Sequence, residues 1–205
     1  MLDHVFTDAI GALRDAFSNA YLERQAFEEH FQSDILLGDL VWETTYGLPG
    51  EGLPPRVVAH ITLNWPSWSQ AIYRQWYIEE EIDQQPAIEI EVVFRVQRLA
   101  EQPVPSIVDS IATLHSPSIG AEQLERDNIT IEISHATHGE RTADFALEIT
   151  YEGQYELAEE TLIDGASKVL DEHFGVLGAW VASTLVKLGD LRLNFFHPDE
   201  NPHTF

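Results

Sequence analysis

The first pattern along this chain is a helical one. Phe6, Ile10, Leu13, Phe17 and Tyr21 lie three or four positions apart, and Phe27 and Phe31 resume the stripe after Arg24. The spacing predicts a helix over residues 3–32, with Asp3 as its cap and a Phe-rich face resting on something flat and apolar, such as a sheet. A strand is expected over 35–48. The Gly- and Pro-dense run from Gly47 to Pro55 then reads as a turn. In the next strand, 56–65, Val57, Ala59, Ile61, Leu63 and Trp65 face one way, and Arg56, His60, Thr62 and Asn64 face the other. Residues 66–83 fit either a short helix or the arm of a long hairpin. The cleanest alternation is 87–98, where Ile88, Ile90, Val92, Phe94 and Val96 interleave with Glu89, Glu91, Val93, Arg95 and Gln97. One wet and one dry face point to an antiparallel sheet.

Pro103 and Pro105 end that strand. Ser106 is placed to cap a short helix through Leu114, with Ile107, Val108, Ile111 and Leu114 inward. A polar loop spans 115–127. Ile129, Ile131 and Ile133 then alternate with Thr130, Glu132 and Ser134, and Thr137-His138-Gly139-Glu140 turns the chain. The return strand, 142–157, sets Phe145, Leu147, Ile149 and Tyr151 on one face. A last helix over 159–188 carries Leu162, Ala166, Leu170, Phe174, Leu177, Val181 and Leu185 at helical spacing, with Gly189 as its C′ residue. Gly175 and Gly178 inside it cost about 1 kcal/mol each relative to alanine, which implies close packing or a bend. Leu191, Leu193 and Phe195 are expected as a final edge strand. The pattern adds up to an α+β fold: a mainly antiparallel sheet of about five strands, covered by an N-terminal helix, a short middle helix and a long C-terminal helix. It reads as a single domain over 1–196 with a flexible tail over 197–205.

Composition sharpens this. Eleven Lys and Arg against 35 Asp and Glu give a formal charge of -24, while 44% of residues are hydrophobic. Such a chain has the apolar surface for a core, unlike a disordered acidic tail. The charge repels phosphate, which argues against tight nucleic-acid binding and against anionic membranes. It suits a halophile's solvated surface, a wall that keeps DNA from adhering, or an acidic mimic with carboxylates roughly 7 Å apart like phosphates along a strand. No apolar run approaches the ~20 residues that span a bilayer, and Met1-Leu2-Asp3-His4 does not open a secretory signal. The absence of cysteine removes disulfides, thiolate ligands and thiol nucleophiles.

Candidate chemistry is sparse. Gly47-x-x-Gly50-x-Gly52 opens no helix, so it reads as a hairpin turn and not a phosphate loop. His135-x-x-His138, with Glu140 or Asp144 nearby, lacks zinc-site spacing, and His197 and His203 fall in the tail. Glu89/Glu91 and Glu148/Glu152 belong to wet strand faces, and Ser183 lies within a helix without a local partner. No catalytic, cofactor or metal residues are expected. The segment that stands out is aromatic: Trp65, Trp68, Tyr73, Trp76 and Tyr77, followed by Glu79-Glu80-Glu81. It reads either as core packing or as a protein interface with the glutamates as a polar rim.

Several local patterns resemble the tail-terminator and neck-protein group of tailed phages, the lambda-type terminator fold. They are the Leu53-Pro54-Pro55 entry into the strand through Ile61, the alternating strand from Ala87 to Phe94, the Pro103-Val104-Pro105-Ser106 entry to a short helix, and the closing strand from Thr142 to Glu152. The resemblance implies a virion protein, assembled in the host cytoplasm, that forms a homo-oligomeric and typically hexameric ring. Its partners would be neighbouring tail or neck proteins, and DNA would pass through the ring without being held. Residues 129–196, with Leu191-Arg192-Leu193-Asn194-Phe195 after a Gly-interrupted helix, also resemble the C-terminal half of SecB-type export chaperones. That resemblance implies a cytoplasmic tetramer binding unfolded polypeptide. A small-molecule enzyme is the third class, marked by a deep apolar pocket with inward carboxylates.

Overall fold

The cleanest alternating segment becomes the spine of the sheet. The computed structural model describes residues 4–20, 27–36, 38–48, 55–79, 84–134, 144–158 and 167–196, with 27–36, 77, 79 and 167 described by their backbone alone. Strands β1 (Phe27–Leu36), β2 (Asp39–Gly47), β3 (Val57–Trp65), β4 (Ala87–Leu99), β5 (Glu125–Arg126), β6 (Thr130–Ser134) and β7 (Asp144–Glu156) form one sheet. Its order is β1-β2-β3-β4-β7-β5, with β6 also on β7, and every pairing is antiparallel. Helices α1 (His4–Ala20), α2 (Ser67–Glu79) and α3 (Ser167–Gly189) complete the described elements. This is the expected α+β class, with seven strands where about five are expected.

Register puts one row of apolar side chains after another on a single face. Trp42, Leu63, Ile90 and Gly153 are successive partners, as are Tyr46, Ala59, Phe94 and Ile149. The helices cover this face. Phe17 stacks on Tyr46 at 3.7 Å between centroids, Phe6 lies 6.0 Å from Trp65, and Trp180 meets Phe94 and Tyr151 edge-on. Leu13, Leu170, Leu177, Val181 and Leu185 are fully buried between the helices and the sheet. The close packing implied by Gly178 is present: a Cβ there would lie 2.7 Å from Ala16 Cβ and 3.1 Å from Leu13 O. At Gly175 a Cβ would meet nothing within 4 Å.

Several boundaries differ from the sequence reading. The N-terminal helix is described over His4–Ala20, residues 21–26 lie outside the described residues, and Phe27 and Phe31 belong to β1 and not to the helix. Phe31 and Ile35, four apart, satisfy a period of 2 as well as one of 3.6, and full-length pairing with β2 decides between them. The strand expected over 35–48 is divided between β1 and β2, because Leu36 pairs with Asp39. Gly38 holds φ +94° there, a conformation that glycine adopts freely. The helix expected from Ser106 to Leu114 is only a 3-10 turn, Pro105–Val108, preceded by Val104 and without a side-chain cap. Val108 is buried, but Leu114 is 63% exposed. Ile133 on β6 is also half exposed. Leu191 to Phe195 makes a single bridge, Leu99 to Phe195, and not a strand. Gly189 is the last residue of α3 rather than a left-handed C′ residue, and its missing Cβ makes room for Leu48.

The polar loop 115–127 is pinned to the sheet through β5, which pairs with β7, and through Asp127 N, which donates to Thr150 O at 2.9 Å. Just before the loop, Tyr151 Oη donates to Thr113 O at 2.7 Å. Burial raises the Tyr151 pKa above its ordinary value, and the nearby Arg126 charge opposes this. A folded-state pKa above the unfolded one stabilises fully below the ordinary tyrosine range and loses that contribution as pH rises through the folded value. Urea unfolding between about pH 9 and 11.5 is therefore expected to show stability falling, with a shallower fall in Tyr151→Phe. An equal fall in both proteins refutes this.

Candidate interaction face

The helices cover one side of the sheet, and the other carries its polar residues in register. Across β2, β3, β4, β7 and β5, Glu43, Thr62, Glu91, Glu152 and Glu125 are successive partners. Asn64, Glu89 and Gln154 form the neighbouring row, tied by Asn64 Nδ2 donating to Glu89 Oε2 at 2.8 Å. On the far side Thr45 Oγ1 and His60 Nδ1 are 3.0 Å apart. Beyond them Arg95 donates to Glu148 and to Glu132, the latter at 2.7 Å. Burial works against the Arg95 charge, but the hydrogen bonds and charges of Glu132 and Glu148 outweigh it and raise its pKa.

Thr62, Glu91, Glu152 and Glu125, with the Asn64–Glu89–Gln154 row, floor a hollow of about 750 Å³, which Asp127 also lines. Strands are about 4.8 Å apart, so Glu152 sits within a Debye length of both Glu91 and Glu125 and is repelled by each. Arg126 borders the hollow but is engaged elsewhere, donating to Ala112 O and lying 3.6 Å from Asp109. Among the described residues no three His, Asp or Glu are arranged to hold a metal ion. Glu89 and Glu91 keep the ~7 Å strand repeat of a phosphate mimic. Val93 and Arg95 end that run on β4, so no phosphate-like strip extends along the strand.

Neutralising the middle of the row relieves like charges directly opposite each other. Glu152→Gln is expected to raise stability by about 0.5 kcal/mol at low salt. Added salt stabilises the wild type more than the variant. Thermal unfolding in 20 mM to about 1 M salt checks this, and equal salt responses would sink it.

The aromatic segment divides. Trp65 and Tyr73 are core, at 0% and 2% exposure, with their rings edge-on at 5.5 Å. Trp76 is partly buried against them, and Trp68 is 41% exposed. Tyr77 and Glu79 lie in α2, described by backbone alone, and Glu80 and Glu81 fall outside the described residues. So do His135, His138, Glu140, His197, His203 and the segment 49–54. Glu89, Glu91, Glu148 and Glu152 stand on the polar face as expected. Sequence reasoning missed Glu125 and Asp127, because two-residue β5 in a polar loop has no periodicity to detect.

Fold and face together define an α+β protein with one sheet, helical on one side and acidic on the other. Comparison of the chain with protein-family models, curated proteins and solved structures finds no match. Among the described residues no helix is long and apolar enough to cross a membrane.

Proposed function

We propose that this chain is a non-enzymatic structural subunit that forms a homo-oligomeric ring at the tail end or neck of a tailed-phage or phage-like particle. The observation that carries the reading is the polar sheet face. It holds rows of carboxylates at fixed spacing on rigid strands, and no helix among the described residues packs over it. A wall of that charge repels a duplex along its length, so DNA passes without adhering. The element order, from N-terminal helix through an antiparallel sheet to C-terminal helix, supports the same reading.

The intact assembly's mass, with electron micrographs at micromolar concentration, tests it. A ring that leaves duplex DNA unbound supports the proposal. A strict monomer overturns it, and so does a tetramer that suppresses aggregation of an unfolded client, which would establish the chaperone instead.

A further inference from the structure

In a chain of charge -24, the surfaces on which two copies can meet are limited by their own repulsion. Carboxylates are spread along most of the sequence, and the longest stretch without Asp or Glu runs from Gly52 through Ile78. That stretch builds β3 and all of α2 but its last residue, Glu79. β3 lies within the sheet, so α2 is where the acid-free stretch reaches the surface as a helix.

The inner side of α2 is fastened. Ser69, fully buried, accepts from Trp65 Nε1 at 2.9 Å and from Ala87 N at 2.8 Å, and donates to Ala87 O. Gln70 Nε2 reaches Gly38 O and Trp65 O, and Asp39 Oδ1 takes the Ser67 N–H at the helix start. The outer side presents Trp68, Ala71, Arg74, Gln75 and Ile78 to solvent. Trp68 and Ile78 are 41% and 79% exposed, and at 3.6 residues per turn they lie within about 80° of each other around the axis. A rigid helix that offers tryptophan and isoleucine, and carries a carboxylate only at its last residue, Glu79, pays little entropy on contact, and tryptophan is enriched at interface centres.

We infer that copies of this chain join through the outer face of α2, an inference that rests on the homo-oligomeric reading above. Charge selects the occupant. Bringing two copies together over the sheet's polar face sets carboxylate rows against each other within a Debye length, about 8 Å in physiological salt. Contact through the outer face from Trp68 to Ile78 sets apolar surface and Arg74 there instead, with a single carboxylate, Glu79, at the end of the helix. Residues 173–189 of α3 are also free of acids and expose Val176, but no aromatic residue, so that position serves as the control.

The experiment uses the full chain. Self-association of wild type, Ile78→Glu and Val176→Glu is followed by sedimentation and native mass, with circular dichroism confirming that each folds. Ile78→Glu is expected to raise the self-dissociation constant at least about tenfold, and Val176→Glu to leave it near wild type. Because the chain has no cysteine, Ile78→Cys and Val176→Cys each give a single thiol. In the assembly the thiol at 78 is expected to be protected from maleimide and the one at 176 to react. If the wild type assembles but Ile78→Glu assembles equally well, or the thiol at 78 reacts freely, the α2 contact is wrong and the oligomer stands. If the wild type is a monomer at micromolar concentration, the homo-oligomeric reading itself fails.

Discussion

Replacing Gly178 by valine is expected to destabilise the protein by about 3 kcal/mol. The α1–α3 contact is at its closest here. A bare Cβ would lie 2.7 Å from Ala16 Cβ and 3.1 Å from the Leu13 carbonyl, neither of which is a flexible side-chain end. The helices must separate, and Leu13, Leu177 and Val181, all buried in their seam, lose contact together. Gly175→Ala, three residues away on the same helix, is expected to do the opposite. Nothing lies within 4 Å of its added methyl, so the substitution gains helix propensity and less unfolded-chain entropy, up to about 1 kcal/mol. Urea unfolding of both variants checks the pair. A tolerated valine, or a costly alanine, contradicts the packing described.

Trp65→Ala is expected to cost about 4 kcal/mol, the upper range for losing a large buried aromatic. Its ring is fully buried between Phe6 and Tyr73, and its Nε1 hydrogen-bonds buried Ser69, which ties α2 to β4. Removing it opens a cavity and loosens that link. Trp68→Ala, three residues on, is expected to change the subunit's intrinsic stability by no more than about 0.5 kcal/mol, as surface substitutions do. Equilibrium unfolding below the concentration at which copies associate measures both. Equal losses would mean that the exposed tryptophan is held as firmly as the buried one.

These two tryptophans show where sequence reading stops. Trp65 ends an alternating strand, so its parity with Leu63 and Ile61 already assigned it to the apolar face. Trp68 has no such parity, because 66–83 fits a helix or a hairpin arm, and its exposure depends on which side of α2 meets the sheet. The same holds for the acidic face. Glu89, Glu91, Glu148 and Glu152 were legible as a wet face from alternation within their strands. That Glu91, Glu152 and Glu125 stand side by side was not, because register between β4, β7 and β5 is a long-range pairing that leaves no local pattern. The β1–β2 hairpin was missed for a related reason. Spacings of four residues satisfy two periods, and only the partner strand selects one.

By itself, the sequence determined the α+β class, the two faces of β3, β4 and β7 and the overall negative charge. Alternation, helical periodicity and composition are local quantities, written in neighbouring residues. Tertiary structure alone decided which carboxylates share a row, which aromatic residues enter the core and which side of α2 is left open. Those outcomes depend on contacts between segments distant in the chain, where burial and strand pairing outweigh local propensity.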